Sequence, residues 1–250
     1  MKTGLRIHLS VIVPAYNEEH RIGSTLRSII AYLQNQNYRS EILVVDDGSR
    51  DDTCSTVLKY TETCPFLRII YNEGNRGKGY SVKHGLQEAR GDVILFTDAD
   101  NSTSIEMIER FWKYFEGGCS VVIGSRKLPD SNIISYQMLF RRFAGFVFNL
   151  IRKILFGWSI KDSQCGFKAF SRDCARDIVK YQHLHRFAFD VELLVIARRR
   201  RWKIQEVPIV WNNDEDSRVS FLNDSTRMFF DMLKIFSNTL AGKYPRRRPS

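Results

Sequence analysis

The chain has 250 residues, 43% of them hydrophobic and 26% charged, enough apolar material for a substantial core and too much for a disordered segment. Its 38 Lys and Arg against 28 Asp and Glu leave a formal charge of +10, which points to an anionic partner: nucleic acid, an anionic membrane surface or phosphorylated substrates. Five cysteines (Cys54, Cys64, Cys119, Cys165 and Cys174) lack CxxC spacing, which argues against a disulfide framework or zinc site and suits a reducing compartment.

In chain order, "HLSVIVPA" (8–15) predicts a buried strand. The segment 18–36 follows with helical spacing, Ile22, Leu26, Ile29, Ile30 and Leu33 lining one face. "EILVVDDGS" (41–49) predicts a second buried strand that ends on acids, and 51–63 a second helix. "LRIIYN" (67–72) predicts a short strand, and "GKGYSVKHGLQEAR" (77–90) a helix entered through glycines. "DVILFTDAD" (92–100) predicts a fourth strand, 104–115 a helix, and "SVVIGSR" (120–126) a fifth strand. Strands alternating with helices, the strands almost continuously apolar, imply a mainly parallel sheet covered on both faces.

The second half is less regular. Tyr136 to Gly157 is long enough to span a bilayer but carries Arg141, Arg142, Arg152 and Lys153. Each such charge costs roughly 2.5–3.5 kcal/mol at a helix centre, which disfavours spanning. On a helical wheel these cations group on one side with apolar residues around the rest, a pattern shared by a buried helix and by one lying in a membrane interface. "KDSQCGFKAFSRD", "RFAFDVELLVIARRRR" and "WKIQEVPIVW" follow, then a helix over about 224–240. The tail "KYPRRRPS" is expected to be disordered. The first ten residues hold too short an apolar run for a signal peptide.

In a parallel sheet of this kind, ligands sit beyond the carboxyl ends of the strands. Polar residues gather there: Pro14, Tyr16, Asn17 and Glu18 after the first strand; Asp46, Asp47, Gly48 and Ser49 after the second; Asn75 to Gly79 after the third; Asp98 and Asp100 after the fourth; Ser125 and Arg126 after the fifth. Asp98 and Asp100, one residue apart, are hard oxygen donors suited to Mg2+ or Mn2+. Alone, the pair fits equally a turn acid beside a helix-capping acid. Asp46 or Asp47 could hydrogen-bond a ribose or base, although a Gly48 turn followed by Asp51 capping the next helix accounts for the same stretch, and both can hold. The glycines of "NEGNRGKGYS" could bring backbone N–H groups to a phosphate, with Arg76 and Lys78 adding charge. The Walker A spacing is absent, and His183 with His185 forms no metal-ligand constellation.

"SVIVPAYNEE", "EILVVDDGSRDDT", "NRGKGYSVKHG", "GDVILFTDAD", "VVIGSR", "DSQCGFKAF" and "FAFDVELL" occur in that order, and with them the chain resembles the family 2, GT-A-fold glycosyltransferases that charge polyprenyl phosphates, most of all dolichyl-phosphate β-glucosyltransferases and their bacterial and archaeal relatives. The resemblance covers about 9–240. It implies a Rossmann-like GT-A domain over 1–240, with a nucleotide-sugar half (9–126), an acceptor and membrane-facing half with amphipathic helices (127–240), and a basic tail (241–250).

It implies a donor, UDP-glucose for preference, across Pro14, Tyr16, Glu18, Asp46, Arg76, Lys78, Asp98 and Ala99, and Mg2+ or Mn2+ at Asp98 and Asp100. Asp162 is implied near the transferred sugar, as a catalytic residue beside the two acids. Arg126, Arg141, Arg142 and Arg218 are implied at the acceptor phosphate of a polyprenyl or dolichyl lipid. The mannosyl relatives usually carry Gln two residues after the second acid; Ser102 stands there, which weakens a mannose reading. The implied place of action is the cytoplasmic face of a membrane, peripherally bound. A family 2 transferase acting on a polysaccharide would need a base, for which Asp162, Asp190 or Glu192 are candidates. A nucleic-acid-binding module fits less well, because the charge interleaves with an apolar helix face rather than base-stacking aromatics.

Overall fold

The computed structural model describes residues 6–133, 157, 160–186, 188–212 and 221–246. Arg141, Arg142 and Arg218, with nearly all of the basic stretch 136–157, lie outside them.

The chain alternates as the pattern predicts: β1 (Leu9–Ala15), α1 (Ile22–Gln34), β2 (Ser40–Asp46), α2 (Thr53–Thr63), β3 (Leu67–Tyr71), α3 (Lys78–Glu88) and β4 (Val93–Thr97). A 3-10 turn (Ile105–Ile108) leads into α4 (Glu109–Glu116), so the helix expected over 104–115 forms in two pieces. Then come β5 (Val121–Ser125), β6 (Asn132–Ile133), β7 (Phe167–Ser171), α5 (Arg172–Ile178), α6 (Phe189–Arg199), β8 (Ile204–Pro208), β9 (Val210–Trp211) and α7 (Phe221–Leu240).

Seven strands form one sheet in the order β3-β2-β1-β4-β7-β5-β8, and β6 pairs with β9. All pairings in the sheet are parallel except those of β7, which runs antiparallel between β4 and β5. Strand order reverses between β1 and β4, the topological switch point at which such sheets bind ligands.

Both sheet faces are buried. On β1, Leu9, Val11 and Val13 join α1 residues Ile22, Leu26 and Ile29 in one core. Ile12, from the same strand, faces the other way onto Val82 and Leu86 of α3, in a core shared with α6 and with Ile235 of α7. Period-two alternation over two apolar layers explains why the strands read as continuous apolar runs.

The tail departs from expectation at its start. Tyr244 is fully buried and donates a 2.7 Å hydrogen bond to Glu192, while Arg199 and Arg200 bind the carbonyls of Tyr244 and Pro245. A buried aromatic ring with a satisfied hydroxyl anchors a segment that charge alone marks as loose.

Candidate active site

The residues after β1 form a scaffold. Pro14 is buried in the strand beside Val45, and Tyr16 just beyond it is 37% exposed at the rim. The Glu18 carboxylate is gripped by Arg21, at 2.7 Å from Nε and 2.9 Å from Nη2. The Glu18 backbone N–H donates to Thr53 Oγ1, tying β1's exit to α2.

The acids after β2 are consumed by the protein. Asp46 Oδ2 accepts the backbone N–H groups of Gly48 and Ser49, each at 3.1 Å. Asp47 accepts from Arg76 N (3.0 Å), Gly77 N (2.7 Å) and Asn72 Nδ2 (2.8 Å). This corrects one expectation. The glycine loop does not hold the Arg76 and Gly77 N–H groups open for a phosphate; it delivers them to Asp47. Gly77 is required here for two reasons: its φ is +99°, and a Cβ would come within 2.5 Å of the His185 carbonyl oxygen. The Arg76 guanidinium lies 4.7 Å from the Tyr80 ring centre, at the surface.

The acids after β4 are different. Asp98 Oδ1 lies 2.5 Å from Lys78 Nζ and has no other hydrogen-bond partner among the described residues. Its Oδ2 side fills the space that a side chain on Gly166 would need: a Cβ there would stand 2.0 Å from Oδ2. Gly166 reaches this point because β7 pairs with β4 in the register Thr97↔Phe167. Asp100 Oδ1 accepts from Ser102 N at 2.9 Å, with Asn101 in the left-handed region (φ 53°) turning the chain between them. Burial, and then the neighbouring Asp98 charge, raise the Asp100 carboxyl above the ordinary carboxylate range. Ala99 is buried, and its carbonyl accepts from Thr25 Oγ1 at 2.6 Å, fixing the acid pair to α1.

Behind Lys78 lies a second, buried ion pair. Lys168 is fully buried on β7, with its Nζ 2.5 Å from Asp190 Oδ1 on α6 and 5.2 Å from the Phe96 ring centre. Burial depresses the Lys78 ammonium, but Asp98 and then Asp190 outweigh it and raise the pKa. Gly166 and Lys168 were not singled out from sequence. Both sit in "DSQCGFKAF", and a glycine and a lysine placed on an otherwise apolar strand were the available signal.

Arg126 and Asp162 are brought together, with each other. Nε and Nη2 of Arg126 bind Asp162 Oδ2 and Oδ1 at 2.7 and 2.9 Å, and the Arg126 backbone N–H adds a third bond at 3.0 Å. Asp162 is 1% exposed. Burial would raise its carboxyl, but the Arg126 charge and hydrogen bonds prevail and hold it well below the usual carboxylate range. The other face of Arg126 lies 5.3 Å from the Trp211 ring centre. Arg126 is therefore not a free cation, and Asp162, held in its charged form by that pairing, is an anchor rather than a base.

The remaining candidate bases are also occupied. Asp190 holds Lys168, and Glu192 accepts from His183 N, Leu184 N and Tyr244 Oη.

Asp98 and Asp100 offer hard carboxylate oxygens, one with no partner but an ammonium and one with a raised pKa, which suits a divalent cation. No third His, Cys, Asp or Glu joins them among the described residues, so a cation held there would take its other ligands from water and substrate oxygens.

The family model for glycosyl transferase family 2 matches residues 10–179. A dolichyl-phosphate beta-glucosyltransferase of Trichomonas vaginalis is 36% identical over 92% of this chain and 73% of its own length. The human enzyme of the same name is 33% identical over 94% of this chain and 77% of its own. Among solved structures, glucosyl-3-phosphoglycerate synthase from Mycobacterium tuberculosis, in complex with Mn2+, UDP-glucose and phosphoglyceric acid, superposes with a TM-score of 0.71. It is 19% identical, over 92% of this chain and 80% of its own, and shares the fold. The sheet with its acid pair at the switch point, and relatives that match over more than nine-tenths of this chain, lead to one statement: the chain is a glycosyltransferase and belongs to glycosyl transferase family 2.

Proposed function

We propose that the protein transfers glucose from UDP-glucose to a dolichyl or related polyprenyl phosphate, inverting the anomeric centre. The observation that carries this reading is the contrast in how the acids are used: those after β2 are spent on the backbone, while Asp98 and Asp100 keep oxygens for a ligand at the switch point. The curated relatives, which share the name dolichyl-phosphate beta-glucosyltransferase, support the choice of sugar and acceptor. Ser102, where mannosyl relatives usually carry Gln, agrees with it.

In this reading Asp98 and Asp100 hold Mg2+ or Mn2+, which supplies positive charge to the donor's diphosphate as the sugar leaves. Lys78 stands beside them as a second cation for the same phosphates. Tyr16 and the β1 exit border the nucleotide, and Asp46 and Asp47 shape its cradle from beneath.

The acceptor needs no strong base. A phosphate monoester with a second pKa near 6 is largely ionised at pH 7. That suits a site in which Asp162, Asp190 and Glu192 are all engaged, and disfavours a hydroxyl acceptor. Because Asp162 neutralises Arg126, we assign the net charge that holds the lipid phosphate to Arg141, Arg142 and Arg218. Arg126 supplies a fixed wall against Trp211.

An anionic membrane surface is the proposed setting, at its cytoplasmic face. No helix among the described residues is long and apolar enough to cross a membrane. On α7, Phe229, Phe230, Leu233 and Leu240 are exposed, Phe230 by 67% and Leu240 by 73%, with exposed Arg227 and Lys234 alongside. That combination suits a helix lying in a lipid interface. The Gln164 amide, two residues from both Asp162 and Gly166, lies 4.0 Å from the Met228 sulfur, which puts this helix beside the site.

The test is a donor panel of UDP-glucose, UDP-N-acetylglucosamine and GDP-mannose with a short polyprenyl phosphate, read by mass. Addition of one hexose from UDP-glucose is expected. Transfer only from another donor, or none to the lipid phosphate, would overturn the proposal.

A further inference from the structure

Lys78 is the first residue of α3, the end of a helix at which a cation is disfavoured by the macrodipole. Its ammonium is held there by Asp98, 2.5 Å from Oδ1. That oxygen is buried, with the ammonium over it. The Oδ2 side is packed against Gly166 so closely that no Cβ fits between them. A divalent cation that takes Oδ1 must therefore displace Lys78. Of the other carboxylates near Lys78, Asp190 is already paired with the buried Lys168 and Asp100 is the second acid of the proposed metal site, so neither offers an equal refuge. The Lys78 side chain is 31% exposed, so its flexible stem can swing outward.

We propose that Lys78 is an internal counter-cation that covers the metal-binding oxygen of Asp98 and makes divalent-cation binding depend on the donor's diphosphate. The proposal rests on the metal and donor reading above. Metal arriving alone must displace an ammonium that then has no anion to move to. When a diphosphate arrives with it, the displaced ammonium gains phosphate oxygens as charge-assisted acceptors. The two ligands thus favour each other, and linkage makes the effect reciprocal.

The experiment is a titration of the full chain with Mn2+, read by electron paramagnetic resonance, with and without UDP. Wild type should bind Mn2+ weakly alone, with UDP raising the affinity by on the order of tenfold or more. Lys78→Met should bind Mn2+ alone more tightly than wild type and show a smaller enhancement by UDP. Lys78→Gln serves the same purpose while keeping a hydrogen-bond donor for Asp98, should the methionine variant fail to fold by circular dichroism. Lys78→Arg, which retains a cation, should behave like wild type. If the uncharged variants bind Mn2+ alone no better than wild type, with the UDP enhancement intact, the proposal is overturned and the metal site stands. If Asp98→Asn leaves Mn2+ binding in the presence of UDP unchanged, the metal-site reading fails, and the proposal with it.

Discussion

Asp46 and Asp47 close β2 much as Asp98 and Asp100 follow β4, and both pairs lie along the same edge of the sheet. Around the first pair, four backbone N–H groups and one side-chain amide converge. Around the second, among the described residues, stand Ser102, through its backbone N–H and its hydroxyl, and one ammonium. The first pair is architecture: it welds the turn after β2 to the loop before α3. The second sets two carboxylates against one ammonium, and the cost of the unbalanced acid is carried until a ligand arrives. Acids of equal appearance take opposite roles because what matters is who else uses their lone pairs.

The contrast is sharpest in the variants. Asp98→Ala or Asp100→Ala should lower transfer by at least ~10²-fold, the scale of losing a main electrostatic contributor to a transition state. The folded state should persist, as checked by turnover with Mg2+ or Mn2+ alongside urea denaturation. Near-wild-type turnover in either variant would erase the distinction between the pairs.

Arg126→Ala should cost about 3–5 kcal/mol of stability, because it strands the Asp162 carboxylate in the interior. Adding Asp162→Asn should recover much of that loss. If Arg126→Ala is as stable as wild type and only weakens the acceptor's apparent affinity, Arg126 is a free phosphate ligand after all.

Asp47→Ala should destabilise by about 2–3 kcal/mol, since two backbone N–H groups and an amide lose their acceptor. Donor affinity should fall with it as the loop before α3 loosens. Denaturant midpoints for the two pairs, side by side, test the division directly.

The smallest effect is in pH. Asp100 has its carboxyl raised by burial and by Asp98, so the fold binds that proton more tightly than the unfolded chain does. Stability from this group is present below the ordinary carboxylate pKa of about 3.9 and is lost as pH rises through the higher folded value. Asp100→Asn should therefore be slightly more stable than wild type at pH 7, with the gain vanishing near pH 4. Asp162 has the opposite sign. Its carboxyl is depressed by Arg126, so its contribution is intact above about pH 3.9 and is lost as pH falls toward the folded value. Thermal midpoints between pH 3 and 8 separate the two.

Local pattern was enough for much of this molecule. Apolar runs bounded by Gly, Asn and Asp placed the first five strands and the helices between them, because a strand buried on both faces must be apolar throughout. The same pattern brought Pro14, Asp46, Asp98 and Arg126 to one edge, since parallel strands all end on the same side. The motifs of "GDVILFTDADN" and its neighbours indicated the family, which the matches over 10–179 and over nine-tenths of the chain bear out.

Only the tertiary structure decided which charges are spent. The antiparallel β7 enters between β4 and β5, a long-range insertion with no local signature. It carries Gly166 to Asp98 and Lys168 to Asp190, and the sheet edge sets Arg126 against Asp162. Tyr244, in a tail that composition marks as loose, is locked by Glu192 from a helix some fifty residues earlier. Residue type and spacing determine where a charge can lie along the chain. Whether it is paired depends on contacts between distant segments, and that pairing separates a structural acid from one left open for a ligand.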